Sequence, residues 1–518
     1  MKKTQIPFRK VGSFSEMFLD YIEGKDTLKE FFEWEPKIES FKSAIIKKGF
    51  STKRRRKLVE TLSRQYNELK CASILTENIQ SLSESNTFTV TTGHQLNIFT
   101  GPIYFLFKLV TTINLSKKLK EYYPDFHFVP VYWMASEDHD FEEISYFKMF
   151  GNKYQWASKQ TGAVGRFDPS SLADVLNQID ERVELFEKAY GRFQTLADSV
   201  RFYVNELFGS EGLVVVDGDD SQLKAQFATV IKDDILNQNA YQRVNETNKK
   251  LINLGYKLQA FSRPINFFYL DAFRRRIICE GENFKVLGAN IKFSKKEILS
   301  EIEHYPERFS PNVIMRPIYQ EMILPNLAYL GGPSEIIYWL QLRGVFDHYK
   351  TEFPILMPRN FGMIIHQNIA KKIKKLGITD EELFRSKVQL KGEYLNRLSI
   401  HQSSLNDQKQ LFIELFKTIK MKAELIDQSL VGYVGSEQVK ALKVLDHIAK
   451  KLKKALEKKH EIGLGQIEFV KDQLFPNGAL QERSENYLNF YFNNTSLIKD
   501  LLDEFEPFEF SFNLFWEE

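Results

Sequence analysis

Residues 86–143 read NTFTVTTGHQLNIFTGPIYFLFKLVTTINLSKKLKEYYPDFHFVPVYWMASEDHDFEE, and their pattern decides the fold. Thr87-Phe88-Thr89-Val90-Thr91 is short and β-branched, which suits a strand. The glycine-bearing turn Gly93-His94-Gln95 follows, and Thr100-Gly101-Pro102 opens an amphipathic run from Ile103 to Leu119. Proline just inside a helix start is favoured, because the N–H it lacks has no partner there. Phe126 to Met134 is a second apolar strand and ends in Ala135-Ser136-Glu137-Asp138-His139-Asp140. Strand, loop, helix and strand at this spacing make a βαβ unit. In an open α/β sheet the ligand sits beyond the carboxyl ends of the strands, and both polar clusters fall there.

Further along, Asp174 to Phe208 reads as helix, Gly212 to Val216 as strand and Ser221 to Leu254 as helix. Short alternating stretches over residues 256–293 predict a small antiparallel insertion. Ala328 to Leu330 leads through Gly331-Gly332-Pro333-Ser334-Glu335 into a helix from Ile336 to Phe346, and Pro354 to Met357 is the last strand. About five parallel strands give an α/β, doubly wound parallel sheet. In the usual order the first and fourth strands are neighbours where the order reverses. The loops of His94 and Gly331 then face each other across the crevice. Residues 1–80 read as mostly helical, and the core is expected to span residues 1–380.

Beyond Asp380 the strand signals and prolines disappear as far as Pro476. Leu398, Leu405, Phe412, Ile419 and Ile426 recur at every seventh position. Leu395, Phe416, Ala423 and Leu430 fill a companion track, which Gln402 and Lys409 interrupt. Gly432 to Gly435 is read as a turn, and Leu442, Leu445, Ala449, Leu452 and Leu456 begin a return helix. A seven-residue period marks supercoiling helices, so residues 381–465 are expected to form an antiparallel coiled-coil hairpin. Its lysines, from Lys450 to Lys459, suit a solvated face, and its seam suits self-association. Residues 466–518 are rich in aromatics and are expected to pack back on the core.

A chain of 518 residues exceeds one compact core. The net charge of +3, from 71 basic and 68 acidic residues, gives no general pull toward nucleic acid or anionic membrane. The basic run Lys53 to Lys57 lacks interleaved aromatics and reads as a solvated first helical turn. Cys71 and Cys279 make no disulfide framework, which fits a reducing cytosol. No apolar run reaches the roughly 20 residues of a membrane span, since Lys108 interrupts the best candidate. Lys2 and Lys3 are followed by polar residues, not by the apolar segment of a signal peptide. These features predict a soluble, cytoplasmic protein.

Three clusters carry the candidate chemistry. Thr92-Gly93-His94-Gln95 lies near a helix start, where backbone N–H groups favour an anion; the alternative is a tight turn that satisfies itself. In Glu137-Asp138-His139-Asp140 a histidine between carboxylates suits proton transfer, and the carboxylates suit an ammonium group. Its structural alternative is a capping box between Asp140 and Glu143. Arg316 and Arg359 suit a carboxylate or phosphate, or else salt bridges within the fold. No second histidine stands at metal-ligand spacing, so no metal is expected. Neither a phosphate loop nor a dinucleotide fingerprint is present.

Together these stretches resemble the family of the bacillithiol biosynthesis cysteine-adding enzyme. The likeness is carried by Thr91 to Gln95, Thr100 to Tyr104, Pro130 to Phe141, Met315-Arg316-Pro317, Gln320-Glu321, Leu324-Pro325, Gly332-Pro333, Glu335, Tyr338-Trp339, Met357-Pro358-Arg359, the heptad hairpin and Leu480 to Arg483. The resemblance implies a Rossmann-like core, similar to class I aminoacyl-tRNA synthetases and nucleotidyltransferases, with a coiled coil used for homodimerisation. It implies ligation of L-cysteine to the amine of glucosaminyl-malate, with ATP activating the cysteine carboxylate. On that likeness His139, Asp138 and Glu137 are expected to be catalytic. His94, Gln95, Arg316, Tyr319, Gln320, Glu335, Tyr338 and Arg359 are expected to bind substrate. Gly93, Thr100, Gly101, Gly331 and Gly332 are expected to bind the nucleotide. The family pattern implied by the resemblance has glutamine in many members where this chain has His94, so a binding role is assigned there and proton transfer to His139. Rival readings are a metal-dependent hydrolase centred on Asp138 and His139, and a non-catalytic coiled-coil scaffold.

Overall fold

The computed structural model describes residues 1–398 and 405–517; Gln402 of the heptad track lies outside them. The chain divides into two units, residues 3–364 with 482–515, and residues 365–481.

The first unit is built on five parallel strands, β1 (Thr87–His94), β2 (His127–Met134), β3 (Val214–Asp217), β4 (Asn326–Gly331) and β5 (Ile355–Pro358). Their order is β5-β4-β1-β2-β3, so the sheet reverses between β1 and β4, as the doubly wound reading expects. Parallel strands covered on both faces are nearly continuous apolar runs, and β1 is buried throughout. The threonines that break its apolar pattern have partners on β4. Thr89 and Thr91 donate to Asn326 Oδ1 at 3.1 and 2.8 Å, and Thr92 donates to the Leu330 carbonyl at 2.9 Å. Helix α1 (Tyr104–Tyr122) covers one face, where Leu115 and Leu119 meet Phe88, Val90, Phe128 and Ala328. Burying each such leucine or phenylalanine contributes roughly 1.5–3 kcal/mol.

The insertion is a five-stranded antiparallel sheet of Phe267–Leu270, Arg274–Glu280, Asn283–Val286, Lys292–Ser294 and Phe309–Pro311, the last of them beyond the expected bounds. The N-terminal region holds an unexpected strand, Lys2–Pro7, in a three-stranded sheet with Ser511–Trp516 and Phe361–Ile365. Two long helices of the sequence reading are broken. Residues 174–208 form three helices, interrupted where Val183 and Phe193 leave helical geometry. Residues 221–254 break at Gln238, whose φ of 57° is left-handed. In the basic run, Arg55 is buried and donates to the carbonyls of Leu82 and Thr87 at 3.1 and 2.9 Å, so that residue is not solvated.

In the second unit, helices α4 (Asn406–Ile426) and α5 (Leu430–Lys459) run antiparallel, with Lys409 paired to Asp446 at 2.5 Å and Lys420 donating to Gln438 at 2.7 Å. Gly432 and Gly435 lie inside α5 and do not make the turn. The reversal falls at Asp427–Ser429, where the Asp427 carboxylate accepts the Ser429 N–H at 2.8 Å. Among the described residues no helix is long and apolar enough to cross a membrane.

Between β1 and α1 the backbone is strained, with φ of 50°, 68° and 63° at Phe99, Thr100 and Gly101. Asn486 holds this turn by donating to the Phe99 and Gly101 carbonyls at 2.7 and 2.6 Å, and the Tyr190 hydroxyl accepts the Phe99 N–H at 2.8 Å. Only glycine fits at position 101, because a Cβ there would stand 2.5 Å from the Asn97 Cβ. Asn486→Ala leaves two buried carbonyls unpaired and should lower unfolding stability by about 2–4 kcal/mol. An unchanged denaturation midpoint would show that the turn holds itself.

Candidate functional site

A cleft of about 580 Å³ opens beyond the carboxyl ends of the strands, where the sheet reverses. Gly93, His94 and Gln95 line it from the end of β1. Helix α2 (Met315–Ile323) contributes Arg316, and the turn into helix α3 (Pro333–Leu340) contributes Gly332 and Glu335. Glu137 and Asp138 line it from the end of β2, Arg274 from the insertion, and Arg359 and Arg483 from later chain. The three clusters singled out in the sequence therefore meet in one cavity.

Its floor is an ion pair. Lys108 of α1 is buried, donates to the Gly93 carbonyl at 2.7 Å and pairs with Glu335 Oε2 at 2.6 Å. Glu335 also accepts the Gly332 N–H at 2.7 Å and the Tyr329 hydroxyl at 2.9 Å, which completes the start of α3. One lysine thus ties the two facing loops together. Burial pulls the Lys108 ammonium below its ordinary range against the opposing pull of Glu335. Burial pushes the Glu335 carboxyl up, but Lys108 and these hydrogen bonds outweigh it and hold it below the usual range.

Asp138 is held on all sides. Its Oδ2 accepts from Gln95 at 2.6 Å, and its Oδ1 accepts the His139 N–H at 2.7 Å and Arg274 Nη1 at 3.3 Å. Burial pushes this carboxyl up, but His139, Arg274 and Gln95 together hold it well below the ordinary carboxylate range. Arg274 is braced in turn by the Ser310 hydroxyl at 2.9 Å, the Pro311 carbonyl at 2.9 Å and the Phe268 ring 4.1 Å below it. Glu137 pairs with the fully buried Lys224, and burial pushes its carboxyl up against that partner. His94 stacks on Phe105 and meets the edge of Tyr104. Burial, with Lys108 and Arg359 nearby, keeps its imidazole neutral by pushing its pKa well down.

Arg316 donates to Gln320 Oε1 at 2.9 Å, while Gln320 Nε2 donates to Glu321 at 2.9 Å; the buried carboxylate thereby fixes which end of the amide faces the arginine. Tyr338 lies 3.4 Å from the Arg316 guanidinium. Among the described residues no carboxylate stands within 4 Å of Arg316, of Arg263 or of Arg483, all three of which line the cleft.

Several expected residues lie elsewhere. Tyr319 is buried under Trp133 and donates to the Gly218 carbonyl at 2.8 Å, and Gln320 supports Arg316 from below. Thr100 and Gly101 belong to the turn held by Asn486, and Gly331 is buried at the end of β4. His139 is off the cavity lining; its Nδ1 lies 3.0 Å from Arg274 Nη1. Arg359 does line the cleft, but both terminal nitrogens are bound by Glu482, at 2.5 and 3.1 Å. The alternative reading, a salt bridge within the fold, describes that side chain. The cleft is also lined by Lys108, Tyr104, Arg274, Arg483 and Glu143, which the sequence does not mark as site residues. Lys108 is legible there as one charge inside an apolar helix, and Tyr104, Arg483 and Glu143 only as parts of motifs. Among the described residues no group of three or more His, Cys, Asp or Glu side chains is placed to hold a metal ion.

A parallel doubly wound sheet with a polar cleft at its point of reversal defines a Rossmann-like ligand-binding protein. The family profile "Bacillithiol biosynthesis BshC, N-terminal Rossmann-like domain" matches residues 1–360, and the profile for its C-terminal coiled-coil domain matches residues 362–516. A Flavobacterium psychrophilum protein named "Putative cysteine ligase BshC" is 42% identical, over 98% of each chain. Proteins of the same name from Cytophaga hutchinsonii and Salinibacter ruber are 40% and 28% identical, over 97% and 95% of this chain and 96% and 94% of their own. The chain belongs to the BshC family of bacillithiol biosynthesis.

Replacing Lys108 with methionine leaves Glu335 without its counter-charge and should destabilise the first unit by roughly 3 kcal/mol. Equilibrium denaturation reads this directly; a variant as stable as the parent would mean that the pair does not hold the two loops.

Proposed function

We propose that this protein is a cysteine ligase that joins the carboxyl group of L-cysteine to the amine of glucosaminyl-malate in the cytoplasm. The observation that carries the reading is Arg316, a guanidinium fixed by Gln320 in the cleft with no carboxylate against it among the described residues. An arginine of this kind suits a bidentate carboxylate such as the malate end of the acceptor. Gly93 bears on the same point. A Cβ there would come within 3.2 Å of the Tyr329 hydroxyl and 3.6 Å of Arg316, so glycine keeps the space beside the guanidinium open.

Joining a carboxylate to an amine is uphill in water, and ATP, when bound, supplies the activation of the carboxylate. The cations without carboxylate partners, Arg263 and Arg483, fit its phosphates, and main chain at Gly93 and Gly332 lets a ligand approach closely. The protein's own part is to bind and orient. Asp138 is held rigid and ionised by Gln95 and Arg274, Glu137 is paired with Lys224 against a burial that pushes its carboxyl up, and His94 offers a neutral ring beside Tyr104.

We assign the α4–α5 hairpin to the pairing of two copies of this chain. Of its interior positions only Ala423 and Val434 are buried, while Leu411, Leu415, Leu425, Tyr433, Val439 and Val444 are exposed. An apolar surface of that extent needs a cover.

Incubating the pure protein with cysteine, glucosaminyl-malate and ATP should give a product with the mass of the two substrates less one water. Omitting any component should abolish it. Arg316→Ala should raise KM for the malate conjugate roughly tenfold or more, as expected for loss of a charged hydrogen bond. A change confined to the cysteine KM would place the malate elsewhere.

A further inference from the structure

We propose that Glu143 is the catalytic carboxylate that takes a proton from the acceptor's ammonium group and so frees the amine to attack. The assignment rests on the ligase reading above. Four carboxylates line the cleft, those of Glu137, Asp138, Glu143 and Glu335. Glu137 is engaged by Lys224, Asp138 by Gln95 and Arg274, and Glu335 by Lys108, Gly332 and Tyr329. Among the described residues Glu143 alone of the four has no donor on its carboxylate.

Local structure explains why it is free. The capping box expected between Asp140 and Glu143 forms in one direction only. Asp140 Oδ1 accepts the Glu143 N–H at 3.3 Å, capping the short helix Phe141–Ile144, but the Glu143 side chain does not reach back. Asn97 Nδ2 holds the Glu143 carbonyl at 3.4 Å. The backbone is anchored from both sides, and the side chain extends to the mouth of the cleft.

The surroundings suit a proton acceptor. Glu143 is an exposed residue at the cleft, and the partial burial of its carboxyl, then the charges of Asp138 and Asp140, push that group above its ordinary value. From α1 it faces Tyr104, whose hydroxyl burial pushes up to about 12, so that group stays neutral. Arg483 stands 5.7 Å from the Tyr104 ring. An alkyl ammonium has no lone pair and cannot attack a carbonyl carbon. When its proton passes to Glu143 Oε, that N–H bond breaks, the nitrogen keeps the electron pair and Glu143 becomes a neutral acid. The pair then attacks the activated cysteine carbonyl, whose bond to the activating phosphate group breaks as that group leaves with the bonding pair, and the second N–H proton is released to water. A base is most effective when its pKa lies near the working pH, so the upward shift favours the transfer. His139 is less well placed, because its ring is outside the lining and its Nδ1 faces the Arg274 guanidinium.

Glu143→Gln keeps the shape and removes the base. With folding checked by circular dichroism, kcat/KM for glucosaminyl-malate should fall roughly 100-fold, the usual scale of such catalysis. The acidic limb of its pH profile should disappear, and formate should restore part of the activity of Glu143→Ala. In His139→Ala the acidic limb should persist. A Glu143→Gln protein that keeps this limb, or its kcat/KM, overturns the assignment; loss of the limb in His139→Ala instead transfers the role to His139. No product from the unaltered protein would remove the ligase reading, and this assignment with it.

Discussion

One buried ammonium holds the site together. Lys108 reaches from α1 to the Gly93 carbonyl and to Glu335, and these belong to loops 239 residues apart in sequence (332 − 93) that the sheet brings side by side. Removing a charge from water costs several kcal/mol, so such a lysine persists only where a carboxylate and further acceptors compensate it. Here the compensation is also the geometry of the cleft. The acid that neutralises Lys108 caps α3, and the carbonyl that Lys108 binds fixes the end of β1. The strand pairing beneath uses the same device in neutral form, with the Thr89 and Thr91 hydroxyls on Asn326 joining β1 to β4.

Charge in the cleft falls into two classes. Asp138, Glu137, Glu335 and Arg359 are each matched by a partner within the protein, which makes them rigid. Arg316, Arg263, Arg483 and Glu143 carry charge that the described residues leave unmatched at the cavity wall. The matched groups build the shape, and the unmatched ones suit the carboxylates and the ammonium of the acceptor proposed above, glucosaminyl-malate.

Much of the core was legible in the sequence. β-branched and apolar runs located the strands, glycine-bearing turns located the loops, and the reversal between β1 and β4 followed from the usual order of such sheets. What escaped depended on distant partners or on single backbone angles. Arg359 has the same local context whether it meets a ligand or Glu482, 123 residues away. Likewise, the nucleotide-binding expectation for Thr100 and Gly101 could not register that Asn486 holds this turn through the Phe99 and Gly101 carbonyls. Gln238 splits a helix through one left-handed residue, which apolar periodicity does not register. Glu143 has capping-box spacing, yet only half of the box forms. The glycines of the hairpin sit within a helix because Asp427 had already made the turn.

A crystal structure of the protein soaked with glucosaminyl-malate would test the central claim most directly. The malate carboxylates should lie within hydrogen-bond distance of Arg316, between the Gly93 and Gly332 loops, with the amine toward Glu143. Ligand density on another face of the protein, with this cleft empty, would contradict it.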